Sequence, residues 1–441
     1  MNKIFIFFIL VFSISSILIL KSWSLANAQQ DQLSNTRLGL HVGNLNIGSK
    51  SNADLIIATL INMGVKSVRI VYQSPSSVET TAYVVKQLNN NGIDVLITIM
   101  PDMSDYNDKT TAYSDYPNGS DEFESLCGSP GWRWMYKYST VDQGLYKIRL
   151  ETLLDEIDKN NGYVAAFEIG NETDFACFNG DIPVVATNEA ANPYDLSQTG
   201  YLSGTVTGYA NTLKTSYQSI KAFQPNASVL TFGSANTYLY DKQKPHINYP
   251  IFLLWLTNVN GINYLTTYSD ATAMHFYPQS ITATSIENTI GPAFTNVAVY
   301  RNNFWITEFG FGKTLPQFIG DEDTVETMRL ETFHNFLTAV NNLNQIIVEH
   351  VYLYSFEQTD WSIMNPNLIP LKSALIFKQY ISNDTSTLFA DLNEDKIINF
   401  LDYDILVANF DKNGLLGWIK ADLIKNGVID VFDFNKLVSS F

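Results

Sequence analysis

The chain has 441 residues, of which 46% are hydrophobic and 16% are charged. This length allows one large domain plus a small one, and the composition excludes an intrinsically disordered protein. The formal net charge of −17 argues against a nucleic-acid partner, which would need a basic face, and suits neutral ligands.

The first residues are typical of a targeting segment. Lys3 supplies a basic start, Ile4–Leu20 an apolar run, and Ala26-Asn27-Ala28 a small-x-small cleavage site. We therefore expect a signal peptide at residues 1–28 and a secreted or cell-surface protein with no membrane part once the peptide is removed. An uncleaved anchor is the alternative, because the apolar run is long for a signal peptide.

Eight short apolar runs alternate with amphipathic segments from Arg37 to about Ser382. The predicted strands are Leu38–Val42, Val68–Tyr72, Val95–Met100, Val164–Ile169, Val229–Phe232, Ala271–Tyr277, Phe304–Thr307 and Val351–Phe356. The predicted helices include Asn52–Met63, Val78–Leu88, Leu145–Ile157, Tyr209–Phe223, Thr324–Val340 and Leu371–Ile381.

Near-continuous apolar strands separated by helices are typical of a parallel sheet that is covered on both faces. Eight such units predict an α/β fold, a (β/α)8 TIM barrel with enlarged loops, as a domain at residues 29–381. An open doubly wound sheet is the alternative. It usually has a glycine-rich phosphate turn after its first strand, and "LGLHVGNLNIG" is not such a turn.

Two predicted strands end directly on a glutamate. Strand four leads into Asn171-Glu172 in "EIGNE", and strand seven leads into Glu308 in "WITEFG". Barrel enzymes place their active sites at the carboxyl ends of the strands. Two carboxyl groups across a cleft can cleave a glycosidic bond when one is protonated and the other ionised, and burial and mutual repulsion separate their pKa values. We therefore expect Glu172 and Glu308 to be catalytic.

These two motifs at strand ends four and seven resemble those of glycoside hydrolase clan A, the retaining (β/α)8 glycosidases. The resemblance implies an enzyme, exported if the signal peptide is as predicted, that cleaves β-glycosidic bonds in a polysaccharide or oligosaccharide by double displacement, without a cofactor for catalysis. Glu172 would be the general acid/base and Glu308 the nucleophile, with their carboxyl groups about 5–5.5 Å apart. Asn171 would bind the sugar 2-hydroxyl group.

The resemblance implies further substrate-binding residues. Arg69 in "VRIVY" matches the arginine that supports the nucleophile, and His275 and Tyr277 in "MHFYP" match positions that contact the nucleophile and the sugar. A buried salt bridge for Arg69 and a core histidine for His275 are the alternatives. The clan often has a tryptophan at the end of strand eight, where this chain has Tyr354-Ser355-Phe356, so Trp361 is the expected aromatic contact there. Trp132 and Trp134 are further stacking candidates.

The two cysteines, Cys127 and Cys177, lie in the long loops that follow predicted strands three and four. In an exported chain such a pair predicts a disulfide. Two buried free thiols are the alternative.

After a polar linker at 382–387, residues 388–441 contain an internal repeat. "DLNEDKIINFLD" (Asp391–Asp402) and "DLIKNGVIDVFD" (Asp422–Asp433) place oxygen ligands at the spacing of a Ca²⁺ loop. The predicted Ca²⁺ ligands are Asp391, Asn393, Asp395, Asn399 and Asp402 in the first loop and Asp422, Asn426, Asp430 and Asp433 in the second. The second loop is weaker, because Ile424 replaces a ligand. A surface run of acids without a metal is the alternative.

The repeat resembles a dockerin domain, which implies attachment to a cohesin-bearing protein. The residues beside the ligands, Phe400-Leu401 and Val431-Phe432, are not the Ser-Thr type common in cellulosomal dockerins. An unusual partner, no partner, or docking within the chain are therefore alternatives. For the whole protein, the alternative to an enzyme is a non-catalytic carbohydrate-binding or surface-adhesion protein on a barrel scaffold.

Overall fold

A computed structural model describes residues 36–72, 74–112, 136–182, 199–235, 246–343, 346–357, 360–380, 392, 400–412, 421 and 428–438. The predicted signal peptide and linker lie outside these residues. The chain forms two compact units: one spans Arg37–Tyr380 and the other contains Ile381–Phe441. Among the described residues, no helix combines the length and apolar character needed to cross a membrane.

The first unit contains eight parallel strands. They are β1 Arg37–His41, β2 Ser67–Tyr72, β3 Asp94–Ile99, β4 Ala166–Ile169, β5 Ser228–Leu230, β6 Thr272–Phe276, β7 Asn303–Phe309 and β8 Ile347–Leu353. Their order in the sheet is β5-β4-β3-β2-β1-β8-β7-β6, and an isolated parallel bridge between Leu230 and Ala271 joins the two outer strands. The sheet therefore closes into a TIM barrel, as predicted, and is not an open doubly wound sheet.

Helices follow the strands and cover the outside of the barrel. They are α1 Lys50–Met63, α2 Val78–Asn90, α3 Gln143–Lys159, α4 Thr199–Phe223, α5 Tyr249–Leu256, α6 Tyr264–Thr267, α7 Ala283–Ala298, α8 Glu322–Asn341 and α9 Ile376–Gln379. Side chains that accept hydrogen bonds from first-turn amides cap several of them, such as Ser49 on α1, Asp142 on α3 and Asp321 on α8.

Side chains alternate along each strand between two cores, one between the sheet and the helices and one inside the barrel. On β4, Phe167 and Ile169 belong to the large core between the sheet and the helices, whereas Ala166 belongs to a small cluster inside the barrel. Because successive side chains on a strand point to opposite faces, Glu168 lies on the inner side with Ala166. The inner cluster contains Leu96, Ala166, Leu230, Ala271, Ala273, Trp305 and Tyr352.

The second unit contains α10 Phe400–Asn409 and α11 Val431–Val438. Its small core pairs equivalent positions of the two repeats. Leu406 and Leu437 are both buried, and the rings of Tyr403 and Phe434 meet edge to face at 5.8 Å. The repeat therefore folds as two similar halves that share one core.

Candidate active site

Glu172 and Glu308 face each other at the carboxyl end of the barrel, as the sequence predicts. One oxygen of each carboxyl group and one ring nitrogen of His275 all lie within 4.8 Å of one another. The side chains of Glu172 and Glu308 keep 17% and 9% of their surface exposed, so a ligand can reach both. This oxygen–oxygen approach is shorter than the roughly 6.5–9.5 Å that separates the carboxyl groups of inverting glycosidases.

A tight turn at the end of β4 places Glu172. Gly170 has a φ of 89° and Glu172 a φ of 44°, so the chain turns through the left-handed region twice within three residues. The Glu172 amide donates to the Gly233 carbonyl oxygen at 2.8 Å, which ties this turn to the end of β5. The backbone, and not only the side-chain rotamer, therefore fixes where the carboxyl group points.

Both carboxylate oxygens of Glu308 receive hydrogen bonds. Arg69 Nη1 donates to Oε1 at 2.6 Å, the Tyr277 hydroxyl donates to Oε2, and His275 Nδ1 lies 3.4 Å from Oε2. Burial alone would raise the pKa of Glu308, but the positive charges of His275 and Arg69 outweigh it and hold that pKa below its ordinary value. Glu308 is therefore ionised and oriented.

The pKa of Glu172 moves in the opposite direction. Burial raises it, the hydrogen bond from His275 Nδ1 at 3.0 Å opposes that rise, and the negative charge of Glu308 adds to it. The net effect raises the pKa of Glu172 above its ordinary value. One carboxyl group of the pair is thus suited to hold a proton and the other to remain charged.

Arg69 links the predicted residues to one another. It is wholly buried, and besides Glu308 its guanidinium donates to Glu168 Oε2 at 2.7–2.9 Å, to Asn171 Oδ1 at 2.7 Å and to His41 Nδ1 at 2.9 Å. Arg69 therefore forms a buried ion pair with Glu168, and it also contacts Glu308 directly. Because Asn171 Oδ1 is bound by Arg69, the Asn171 amide nitrogen, which has no hydrogen-bond partner among the described residues, is left for a ligand.

Glu168 is part of the site although the sequence analysis did not select it. It is wholly buried, Thr98 donates to its Oε2 at 2.5 Å, and Thr307 and the Gly233 amide donate to its Oε1 at 2.6 and 3.0 Å. Burial opposes ionisation, but Arg69 outweighs burial and lowers the pKa of Glu168 to about 2. The sequence signal was its strand position, since Phe167 and Ile169 on either side are outward-facing core residues.

His275 lies among three carboxyl groups. Its Nδ1 contacts Glu172 and approaches Glu308, and its Nε2 lies 3.7 Å from Glu168 Oε1. Burial lowers the pKa of His275, but Glu308, Glu168 and Glu172 together raise it to about 10. His275 is therefore an imidazolium ion that balances charge, and not an uncharged core histidine.

An aromatic wall stands beside the two glutamates. The Tyr277 ring meets Trp361 at 5.2 Å and Tyr354 at 5.9 Å, and Tyr354 stacks on His41 at 5.2 Å. Trp361 is half-buried, so the structure brings the predicted aromatic residue into the site from the loop after β8. The other stacking candidates, Trp132 and Trp134, lie outside the described residues.

The triad of Glu172, His275 and Glu308 is spaced closely enough to hold a metal ion. The Arg69 guanidinium also contacts Glu308, so one oxygen of this carboxylate already has a cationic partner.

Cys177, in the loop after β4, is buried and disulfide-bonded. Its predicted partner, Cys127, lies outside the described residues, so the loop-to-loop pairing stays a prediction.

No protein-family model matches the sequence, and no curated protein matches it significantly. Solved structures match its fold. A β-galactosidase from the psychrophilic Marinomonas ef1 is 10% identical with a TM-score of 0.51, over 78% of this chain and 59% of that chain. One of two fungal β-1,4-galactanases is 13% identical with a TM-score of 0.49, over 78% and 99% of the two chains. A β-galactosidase from the Antarctic haloarchaeon Halorubrum lacusprofundi is 12% identical with a TM-score of 0.49, over 78% and 58%. Of these three, the Marinomonas β-galactosidase has a TM-score above 0.5, and at 10% identity its similarity shows a shared fold alone.

Proposed function

We propose that the protein is a retaining glycoside hydrolase of the clan A type, which cleaves β-glycosidic bonds in a polysaccharide or oligosaccharide. The observation that supports this most is the Glu172–Glu308 pair, with its close oxygens and opposite pKa shifts. The fold comparison agrees with this class by analogy of fold, and the function itself is argued from the site.

The first half of the reaction uses both carboxyl groups at once. A Glu308 oxygen attacks the anomeric carbon while Glu172 gives its proton to the departing glycosidic oxygen, so the C–O bond breaks and a glycosyl ester on Glu308 forms. Arg69 and the Tyr277 hydroxyl hold the attacking carboxylate in place. Since Asn171 is anchored through Oδ1, its amide group would donate to the sugar 2-hydroxyl group, and Trp361 and Tyr277 would contact the sugar ring.

The second half reverses the role of Glu172. Esterification removes the negative charge of Glu308, which is one of the causes that raise the pKa of Glu172. The pKa of Glu172 then falls, and its carboxylate takes a proton from a water molecule whose oxygen attacks the anomeric carbon. The ester bond breaks, Glu308 returns as a carboxylate, and the sugar is released with its original anomeric configuration.

Hydrolysis of aryl β-glycosides and of plant and microbial glycans tests this function. The wild-type protein should turn over at least one β-linked substrate, with retention of configuration in the first product by proton NMR. Glu308→Gln and Glu172→Gln should each reduce activity on natural glycans by at least about a thousandfold. The matched control is Glu349→Gln, on a β8 glutamate that binds Asn303 and Trp305, which should keep near wild-type activity.

Two results would contradict the proposal. Inversion of configuration would remove the nucleophile role of Glu308. Glycan binding without turnover by any substrate in the panel would favour the non-catalytic carbohydrate-binding protein.

We also propose that the protein is exported, with the segment at 1–28 as signal peptide and a Cys127–Cys177 disulfide. The disulfide-bonded state of Cys177 supports this, because disulfides persist in oxidising compartments. Peptide mapping of the exported, non-reduced protein would test both expectations, since a mature chain that begins at Gln29 and a linked pair of cysteine peptides are the expected products.

We further propose that the repeats of the second unit form a calcium-dependent dockerin with a cohesin-bearing partner. Among the predicted ligands, only Asp430 and Asp433 have described side chains. Asp433 is wholly buried, and its Oδ2 accepts the Asp430 amide at 2.9 Å, which suits the last ligand position of a loop that ends at a helix start. The donor set of carboxylate and amide oxygens fits Ca²⁺. Retention of the full chain on immobilised cohesin modules with Ca²⁺, and its release by chelator, would test the partner.

A further inference from the structure

Arg329 on α8 reaches the loops that follow two neighbouring strands. It is wholly buried, and its guanidinium donates to three backbone oxygens and one carboxylate. Nε donates to the Phe311 carbonyl oxygen at 3.1 Å, after β7. Nη1 and Nη2 donate to the carbonyl oxygens of Ser362 at 3.0 Å and Trp361 at 2.9 Å, after β8. One side chain therefore fixes both loops at the site's edge.

Glu326, one turn earlier on α8, neutralises and orients this guanidinium. Its Oε1 accepts from Arg329 Nη1 at 2.6 Å, and the Ser373 hydroxyl donates to its Oε2. The Lys313 amine lies 3.5 Å from the same carboxylate. A planar fork held in this way has little freedom to rotate, so the backbone oxygens that it binds are held in fixed positions.

The Trp361 indole lies in a narrow space, so the position of the Trp361 backbone determines whether the indole fits there. A Cβ atom added at Gly310 would lie 3.1 Å from Trp361 Cε3 and 2.5 Å from the Tyr354 carbonyl oxygen. The indole therefore packs over a bare stretch of backbone just past Glu308. On its other side it meets the Tyr277 ring, whose hydroxyl donates to Glu308.

We propose that Arg329 is the positioning residue for Trp361, and that it thereby shapes the aromatic wall facing the sugar at the nucleophile. It acts through the chain of contacts from the Trp361 carbonyl to the indole, to Tyr277 and to Glu308. Arg329 itself touches no reacting atom. This inference rests on the proposed glycosidase function for its kinetic consequence, but the clamp on the Trp361 loop does not depend on that function.

A double-mutant cycle on the full-length protein tests the kinetic consequence. Arg329→Lys keeps the charge but loses the fork, and should lower kcat/KM by about tenfold, as expected for coupled neighbours. In a Trp361→Ala background the same change should lower it by less than about twofold, because the indole that Arg329 positions is already gone. Equal losses in both backgrounds would overturn the proposal in favour of a general structural role.

Hydrogen–deuterium exchange tests the clamp without any activity. Arg329→Lys should speed exchange at the Ile363 amide, which donates to the Ser355 carbonyl oxygen beside the clamp. Unchanged exchange there would overturn the proposal, whether or not the protein hydrolyses any glycoside. If Arg329→Lys does not fold, Glu326→Gln weakens the same clamp more mildly and should give the same two results in smaller measure.

Arg301→Lys is the matched control for both measurements. Arg301 is half-buried and also donates to backbone oxygens, that of Leu265 on α6 and those of Ser269 and Asp270 just before β6, away from the two glutamates. Its change should destabilise the barrel without altering exchange at Ile363 or the kinetic coupling to Trp361. Equal effects from Arg301→Lys would show that the loss of any arginine bound to backbone oxygens gives this result.

Discussion

Glu172 and Glu308 differ in protonation because positive charge surrounds them unequally. The Arg69 guanidinium contacts a Glu308 oxygen at 2.6 Å, whereas the Glu172 carboxyl group receives, from the described part of the chain, only the shared hydrogen bond from His275. Arg69 and His275 together balance the charges of Glu168 and Glu308, which leaves a buried Glu172 more stable as a neutral acid. The proposed roles of Glu172 as acid and Glu308 as nucleophile thus follow from the site's charges.

These shifts predict a bell-shaped pH dependence of kcat/KM. Activity should fall at low pH as Glu308, whose pKa is lowered, gains a proton, and at high pH as Glu172, whose pKa is raised, loses its proton. Glu172→Gln cannot donate a proton at any pH. On a dinitrophenyl glycoside, whose leaving group needs no protonation, this variant should keep the acid limb and lose the alkaline limb. A wild-type alkaline limb in Glu172→Gln would contradict the assignment.

The motifs around Glu172 and Glu308 made the pair predictable, but the residues beneath it were harder to find. To predict Glu168, one must know which face of β4 points into the barrel. The alternation of Phe167 and Ile169 with Ala166 shows this only once the inner and outer cores are known. The approach of Trp361 to Tyr277 could not be predicted at all, because a loop brings it there and no strand period places it.

Asp174, two residues after Glu172, provides a stability test that is independent of turnover. It is wholly buried, its Oδ1 accepts the Ala235 amide at 2.9 Å, and its Oδ2 has no hydrogen-bond partner among the described residues. Burial, opposed by the hydrogen bond from the Ala235 amide, raises its pKa from 3.8 to about 8. The folded state therefore holds a proton that the unfolded chain releases near pH 4.

The free energy of unfolding should consequently fall as pH rises from about 4 to about 8, since the folded state binds more protons in that window. Asp174→Asn keeps the acceptor for Ala235 and cannot ionise. It should therefore show a smaller loss of Tm between pH 5 and pH 8 than the wild type. Asp158→Asn, an exposed control, should leave the loss unchanged. The same pH slope in Asp174→Asn and the wild type would show that Asp174 is already ionised at pH 5.

At the scale of elements, the strands were more predictable than the helices. All eight strands lie within a few residues of their predicted positions, because a strand buried on both faces is a short apolar run between polar ends. Helix α5, "YPIFLLWL", is apolar on every side and has no helical period to recognise. Helix α7 contains Pro292, which normally argues against a helix interior, and α4 begins ten residues before its predicted start.

The turn that ends β4 predicts a specific cost for a small substitution. A Cβ atom at Gly170 would lie 2.4 Å from Thr173 Oγ1 and 2.9 Å from the Tyr138 hydroxyl, at a φ of 89°. Gly170→Ala should therefore destabilise the barrel by more than the roughly 1–2 kcal/mol of a left-handed residue alone, and should lower kcat by shifting Glu172. Thermal unfolding and kcat on one substrate measure the two effects.

Gly92→Ala is the control that separates the cost of a left-handed backbone from the cost of a steric clash. Gly92 also has a positive φ, 66°, but a Cβ atom added there would have no described atom within 4 Å beyond its chain neighbours. It follows α2, far from the glutamates along the chain. This change should cost only the left-handed penalty and leave kcat unchanged. Equal stability losses from the two variants would mean that the turn after β4 relaxes around an added methyl group.

At the scale of the whole molecule, the two units differ in how much apolar core supports them. The barrel unit buries a large core between its sheet and helices, whereas the described core of the second unit consists of Leu392, Leu406, Ala421, Ile429 and Leu437 with three half-buried neighbours. Residues 388–441 form a unit of only 54 residues. So short a domain is seldom stabilised by its apolar core unaided, and bound metal is a common source of the missing free energy. The proposed calcium loops would supply it.

Chelation should therefore act on the second unit alone. With EDTA, amides of α10 and α11, and the Ile429 amide that donates to the Lys412 carbonyl oxygen at 3.1 Å, should lose protection from hydrogen exchange. Hydrogen exchange of the barrel-strand amides and hydrolysis of a small aryl glycoside should be unchanged, because Arg37–Tyr380 is a compact unit with its own core.

Asp391→Ala should weaken Ca²⁺ binding more than Asp422→Ala, since Ile424 already removes a ligand from the second loop. Calcium titration of the full chain by calorimetry measures that difference, and equal losses would contradict it. If Ca²⁺ neither binds nor protects these amides, the repeats are not calcium loops and their two halves are held by the shared apolar core alone.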